Sequence, residues 1–187
     1  MRMKRKTTRR AAVTGAVAVL AVPMIGSDQA AAGHVLGYPW LKYRDVPIYF
    51  YNTTDNTNTA SSHAGGQMDR TVMNLTLVAS HYNTNSLSVA DGDYPEYAAG
   101  WFSCETTFSS PPDTRIYCNH GHVIFNERYQ SPSVDNYWKA TACQEFGHSV
   151  GLDHRTGQAT CMDDDGDANN TNTFDQHDID VINFIHA

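Results

Sequence analysis

Apolar and polar positions cluster and repeat along this chain in a way that lays out most of an α+β domain. Val46 to Tyr51 (VPIYFY) is an apolar, aromatic run of strand length. The polar stretch Asn52 to Ser62 reads as loop. From Ala64 to Tyr82 the period becomes helical, with Met68, Val72, Leu75 and Ala79 on one face. Leu87-Ser88-Val89 predicts a short strand, closed by a turn at Asp91-Gly92-Asp93. Residues 101 to 114 read as loop, ending in Ser109-Ser110-Pro111-Pro112-Asp113, and Arg115 to Cys118 and His122 to Asn126 are two strand candidates. Val134 to Val150 reads as a second helix and Phe174 to His186 as a third. Ile179, Ile182 and Ile185 give that last helix an apolar side, and Thr173 with Gln176 fits a capping box at its start. Ahead of these elements Gly33 to Asp45, with Tyr38, Trp40 and Tyr43, is expected to pack along the domain edge. Strands first with a helix between them, then two helices, make an α+β layer arrangement.

The first 32 residues belong to a different pattern. Arg2, Lys4, Arg5, Lys6, Arg9 and Arg10 precede an apolar run from Ala11 to Gly26 and the small residues Ala30-Ala31-Ala32-Gly33. Basic start, apolar run and A-x-A-like site together read as a secretory signal peptide over residues 1–32. The run falls short of the roughly 20 apolar residues a spanning helix needs. Arg9-Arg10 fits the twin-arginine route weakly, because Ala11-Ala12-Val13 follow it, so the general export route is expected.

Charge changes once that segment is set aside. Of 13 basic and 20 acidic residues, residues 1–32 carry six and one, which leaves residues 33–187 at a net −12. Nucleic acid is excluded as a partner, since phosphates demand a basic surface. Solubility outside the cell accounts for the acidic surface without a special substrate. About 155 residues remain, one domain with a core of its own. Cys104, Cys118, Cys143 and Cys161 are an even number in an exported chain, and no C-x-x-C pair suggests a zinc knot. Disulfides are expected, with three connectivities open.

The chemistry concentrates in Cys143 to His154 (CQEFGHSVGLDH). On a helix, positions i and i+4 share a face, which sets Gln144 beside His148 with Glu145 next to the first. Gly151 stands where a left-handed residue can end the helix and turn the chain back, bringing His154 toward the same point. Two helix residues and one from the return loop thus converge, as a catalytic zinc with three protein ligands and a water requires. Glu145 is placed to act as general base for that water.

Glu145, His148, Gly151 and His154 in the pattern E-x-x-H-x-x-G-x-x-H resemble the metzincin zinc endopeptidases, most of all a matrixin-like type. Cys161-Met162-Asp163, eight residues past His154, resembles that family's methionine turn, and His177-Asp178-Ile179 the start of its closing helix. The specific match covers roughly residues 122 to 186. The resemblance implies a metzincin-like zincin fold: a mixed twisted sheet, two long helices, a Met-turn and a C-terminal helix. It implies zinc (Zn2+) on His148 and His154, with Gln144 where the family has its first ligand histidine, Glu145 as catalytic base and Met162 as the floor of the site. It also brings Cys143 and Cys161 together as one disulfide, leaving Cys104 and Cys118 as the other. The implied function is a secreted, monomeric metalloendopeptidase acting on protein or peptide through a metal-activated water, with no membrane partner after signal cleavage. The dozen residues between Ala32 and the first strand leave no room for the family's cysteine-bearing pro-segment. The resemblance therefore implies an enzyme active on export or held by a separate inhibitor.

Gln144 is the departure, since a neutral amide oxygen is a far poorer zinc ligand than imidazole. Either His148, His154 and the Gln144 oxygen or a water still hold zinc, or His120, His122 or His177 supplies the missing imidazole. The third course is a catalytically silent binding module on the same fold. Glu145 and both histidines, kept beside Gln144, favour the first two. Asp163-Asp164-Asp165-Gly166-Asp167 resembles a calcium (Ca2+) loop but lacks its register and terminal glutamate, so a solvated acidic loop is expected, with weak calcium binding as the alternative. Three glycosylation sequons, at Asn52, Asn74 and Asn169, matter only in a host that uses them.

Overall fold

The computed structural model describes residues 35–37, 39–82, 84–129, 135–164 and 171–187. The expected signal peptide, most of the acidic run after Asp164 and the sequon at Asn169 lie outside the described residues.

Five strands form one mixed sheet: β1 (Asp45–Tyr51), β2 (Asn74–Leu77), β3 (Ser86–Gly92), β4 (Gly100–Ser109) and β5 (Ile116–Asn126). Their order across the sheet is β2-β1-β3-β5-β4, with β4 on the edge and antiparallel to β5 while the other pairs are parallel. Side chains alternate between faces along a strand. One face carries Val46, Ile48, Leu87, Val89, Val123 and Phe125, all buried in a common core. Helices α1 (Asp55–Met68) and α2 (Asp135–Ser149) cover that face, through Ala60, Ala64 and Met68 from α1 and Ala142, Cys143 and Phe146 from α2. Trp138 of α2 stacks on Phe125 with ring centroids 5.9 Å apart. Helix α3 (Gln176–Ile185) closes the core with Ile179 and Ile182, and Ile185 packs at its margin.

Several boundaries depart from the sequence expectation. The first helix begins at Asp55 within the expected loop and ends at Met68, and Leu75 belongs to strand β2. Thr54 sets the start, its hydroxyl accepting from the Thr57 backbone N–H. The buried face of α1 is mostly small or polar (Thr57, Ala60, Ser61, Ala64, Gln67), so it lacks the hydrophobic contrast that marks a helix. Residues 101–109, expected as loop, are most of β4, an edge strand whose exposed positions are polar. The two strand candidates at 115–118 and 122–126 are one continuous β5. The capping box at α3 is formed by Asp175 and Asp178, each carboxylate accepting from the other's backbone N–H, in place of Thr173 and Gln176. Carboxylates at a helix N-terminus also meet the positive end of its dipole. The two core helices have 14 and 15 residues and the last has 10.

Candidate active site

Helix α2 delivers three of the sequence-flagged residues to one cleft of about 530 Å³, where Gln144, Glu145, His148, His154 and Asp163 line the wall. The Gly151 N–H returns to the His148 carbonyl as the helix closes, and Gly151 adopts φ +103°. A side chain there would meet Trp40 and the Ile185 Cδ1 at 2.8 Å, so glycine is needed for space as well as for dihedral. The lead-in segment seats against this turn through Leu36 N–H to Gly151 O and Leu41 N–H to Ser149 O, both 2.9 Å. Trp40 is buried there, edge-on to Tyr117, and Tyr43 is half exposed.

Hydrogen bonds settle how the histidines present themselves. The Leu152 carbonyl lies 2.9 Å from His148 Nδ1 and can only accept, so Nδ1 carries the proton and Nε2 keeps its lone pair. That lone pair faces His154, with the two Nε2 atoms 3.0 Å apart. Two nitrogens on a tetrahedral zinc with bonds of 2.0–2.1 Å lie about 3.3 Å apart, so this donor pair fits such an ion. Gln144 is half-buried, and its amide nitrogen donates to the Asp163 carbonyl at 3.2 Å. The amide oxygen is then the atom left for a cation. Burial also pushes His148 down to about 4, which keeps the imidazole neutral over the working range.

Glu145 is buried, and burial pushes its carboxyl up to about 8 against a hydrogen bond from the Phe102 backbone N–H, which favours the charged form. That N–H belongs to β4, so the edge strand forms one wall of the cleft and holds the carboxylate. Close approach there depends on Gly100, since a Cβ would fall 2.7 Å from the Thr141 methyl and 3.3 Å from Glu145 Cγ. Trp101 and Phe102 carried no signal in the sequence, because residues 101–114 read as loop; nor did Gly100 and Tyr137, which also line the cleft.

Beneath the helix, Met162 is fully buried and its sulfur lies directly under Gly147. A methyl at Gly147 would run into Met162 Sδ and approach Phe174 to 3.1 Å. Gly147→Ala is therefore expected to destabilise the fold by about 1–3 kcal/mol through overpacking, despite alanine's better helix propensity. Urea unfolding of the purified variant measures this, and an unchanged midpoint would contradict the close packing. Cys143 is bridged to Cys161, tying α2 to the segment that carries Met162, and Cys104 is bridged to Cys118 across β4 and β5. Past His154, Arg155 pairs with Asp175 at 2.6 Å and Asp178 at 3.1 Å, anchoring the return loop to the capping box of α3.

The alternative histidines lie elsewhere. His120 and His122 pair with Ser86 and Ser88 of β3 and occupy the sheet face opposite Val123 and Phe125, away from α2. Neither can stand in for Gln144. His177 sits in the first turn of α3 beside Asp175 and does not line the cleft.

No family model and no curated protein matches the sequence. Among solved structures the chain is similar to myroilysin, at 16% identity and TM-score 0.39 over 65% of this chain and 55% of that one. It is also similar to archaemetzincin from Methanopyrus kandleri, at 10% identity and TM-score 0.47 over 77% and 96%. The chain spans about half the length of the myroilysin structure it matches.

Proposed function

We propose that this chain is a secreted zinc-dependent endopeptidase of metzincin type in which Gln144 takes the place of one ligand histidine. The observation that carries the reading is the convergence of a buried carboxylate and two imidazole Nε2 atoms, 3.0 Å apart, on one open cleft. His148, His154 and the Gln144 amide oxygen would hold the ion. Zinc bound there lowers the pKa of water and polarises a carbonyl, the two demands of peptide hydrolysis at neutral pH. Glu145 takes a proton from the attacking water and returns it to the leaving amine, for which its buried position beside the histidines suits it. The Phe102 N–H orients that carboxylate, and the Leu152 carbonyl fixes the His148 tautomer. Met162 supports the helix from below.

Export is supported by the basic and apolar start and the two disulfides. Protein or peptide is the substrate class, taken by a single copy of the chain. The test is cleavage of a mixed peptide substrate by the purified chain before and after chelation. Cleavage should vanish on chelation and return with added zinc. A folded chain that binds zinc at His148 and His154 without cleaving any peptide would instead be a silent binding module.

A further inference from the structure

The loop between β3 and β4, residues 93–99, supplies one wall of the cleft, and a single buried side chain holds it in place. Asn126, the last residue of β5, is fully buried and uses its amide in full. Its Nδ2 donates to the carbonyls of Tyr94 at 3.2 Å and Glu96 at 2.9 Å. Its Oδ1 accepts from the backbone N–H groups of Tyr94 at 3.1 Å and Arg128 at 3.3 Å. The Asn126 backbone N–H bonds to the Ala99 carbonyl at 2.9 Å, and the Glu127 N–H to the Gly92 carbonyl at 2.8 Å. The Tyr94 ring stands edge-on to Trp101 of β4, centroids 5.2 Å apart. Both ends and the middle of the loop are thus fixed to the sheet before any substrate arrives.

On that fixed backbone Tyr97 is 97% exposed and lines the cleft, with the Tyr129 ring beside it at 6.4 Å. Tyr137 and Ala140 of α2 line the same cleft and precede Gln144 by about two turns and one turn of helix. With Ala98 and Ala99 these residues make an uncharged recess, in which alanines leave room and tyrosines supply apolar area. A charged side chain entering it would leave water without finding a partner. Two turns of helix span about 11 Å, which an extended peptide covers in about three residues. We infer that Tyr97 is a specificity residue of the cleft, selecting peptides that carry phenylalanine, tyrosine or another large apolar side chain within about three residues of the bond to be cut. The inference rests on the peptidase reading of the cleft and names the substrates that reading leaves open. A substrate ring meeting Tyr97 buries apolar area and gains edge-on or offset contact, and because Asn126 has already ordered the loop, no ordering cost offsets that gain.

The experiment compares the parent chain with Tyr97→Ala, both supplied with zinc, on labelled peptides in which one phenylalanine steps through three positions on each side of a central bond. An alanine peptide is the reference. Cleavage is followed directly, and binding by fluorescence anisotropy on a Glu145→Gln background that leaves the peptide uncut. In the parent at least one phenylalanine position should be preferred over alanine by about tenfold in kcat/KM, the scale of one aromatic contact. Tyr97→Ala should bring that ratio close to one, chiefly through KM, while zinc content and circular dichroism stay those of the parent. A preference kept in folded Tyr97→Ala, or no phenylalanine preference in the parent, overturns the inference and leaves the peptidase reading standing. Were neither chain to cleave, while the Tyr97 ring still decided which peptides bind, the specificity residue would stand and the peptidase reading would fall. Neither cleavage nor binding of any peptide would overturn both.

Discussion

Glu145→Gln is expected to lower peptide cleavage by about 10²–10⁴-fold while zinc content stays that of the parent chain. Glutamine matches the side chain's shape and can still accept from the Phe102 N–H, so packing and β4 position are kept. What it cannot do is take a proton. Activity within tenfold of the parent would remove Glu145 from the chemistry and with it the proposed mechanism. The same variant carries a second readout, in protein stripped of metal. There the folded carboxyl titrates at about 8 against an ordinary 4.5, so the unfolded chain releases this proton first as pH rises. Its contribution to stability is whole below about 4.5 and is lost progressively up to about pH 8. His148 and His120, both lowered to about 4 from 6.5 by burial, act in the other direction: their contribution is whole above 6.5 and is lost as pH falls toward 4. Denaturant midpoints from pH 6.5 to 8.5 should therefore fall in the stripped parent chain and stay level in Glu145→Gln. Added zinc should flatten the parent's slope, because a cation beside the carboxylate favours its charged form.

Replacing Gln144 by histidine should tighten zinc binding at the cleft by about tenfold or more, equivalent to roughly 1.4 kcal/mol. Imidazole is the stronger donor for zinc, and the α2 register already sets residue 144 one turn from His148. The gain is net of one cost. Gln144 gives up its hydrogen bond to the Asp163 carbonyl, worth about 1 kcal/mol. Isothermal titration of metal-stripped parent and variant chains with Zn2+ measures the difference. An unchanged affinity would mean that position 144 does not face the ion, and the amide would then serve only to hold Asp163.

What the sequence revealed and what it hid divide along a physical line. Glu145, His148, Gly151 and His154 were legible because their meeting follows from one helix and one turn, both local. The apolar side of α3 was legible for the same reason. Helix α1 was misplaced because its buried face is built from alanine, serine and threonine, whose burial is decided by the sheet above them. Strand β4 was hidden because an edge strand keeps polar residues on its open side and needs its partner to be recognised. Thr173 is the cap that the sequence predicts for α3 and Asp175 the one that performs it, a shift of two residues that decides which side chains meet Arg155. His120 and His122 stand out as alternating residues, but alternation alone does not say which face of the sheet they take. Their face of the sheet was knowable only once Val123 and Phe125 were seen to pack under α2.

The bridge between Cys143 and Cys161 gives the cleft a history as well as a shape. The two sulfurs sit one residue before Gln144 and one before Met162, so the wall that carries Gln144 and the floor become a single covalent unit only where thiols are oxidised. With both thiols reduced, the same two segments are held by packing and by the Gln144 hydrogen bond to the Asp163 carbonyl. Reduction of this one bond releases the wall and the floor from each other at once, and oxidation fixes both.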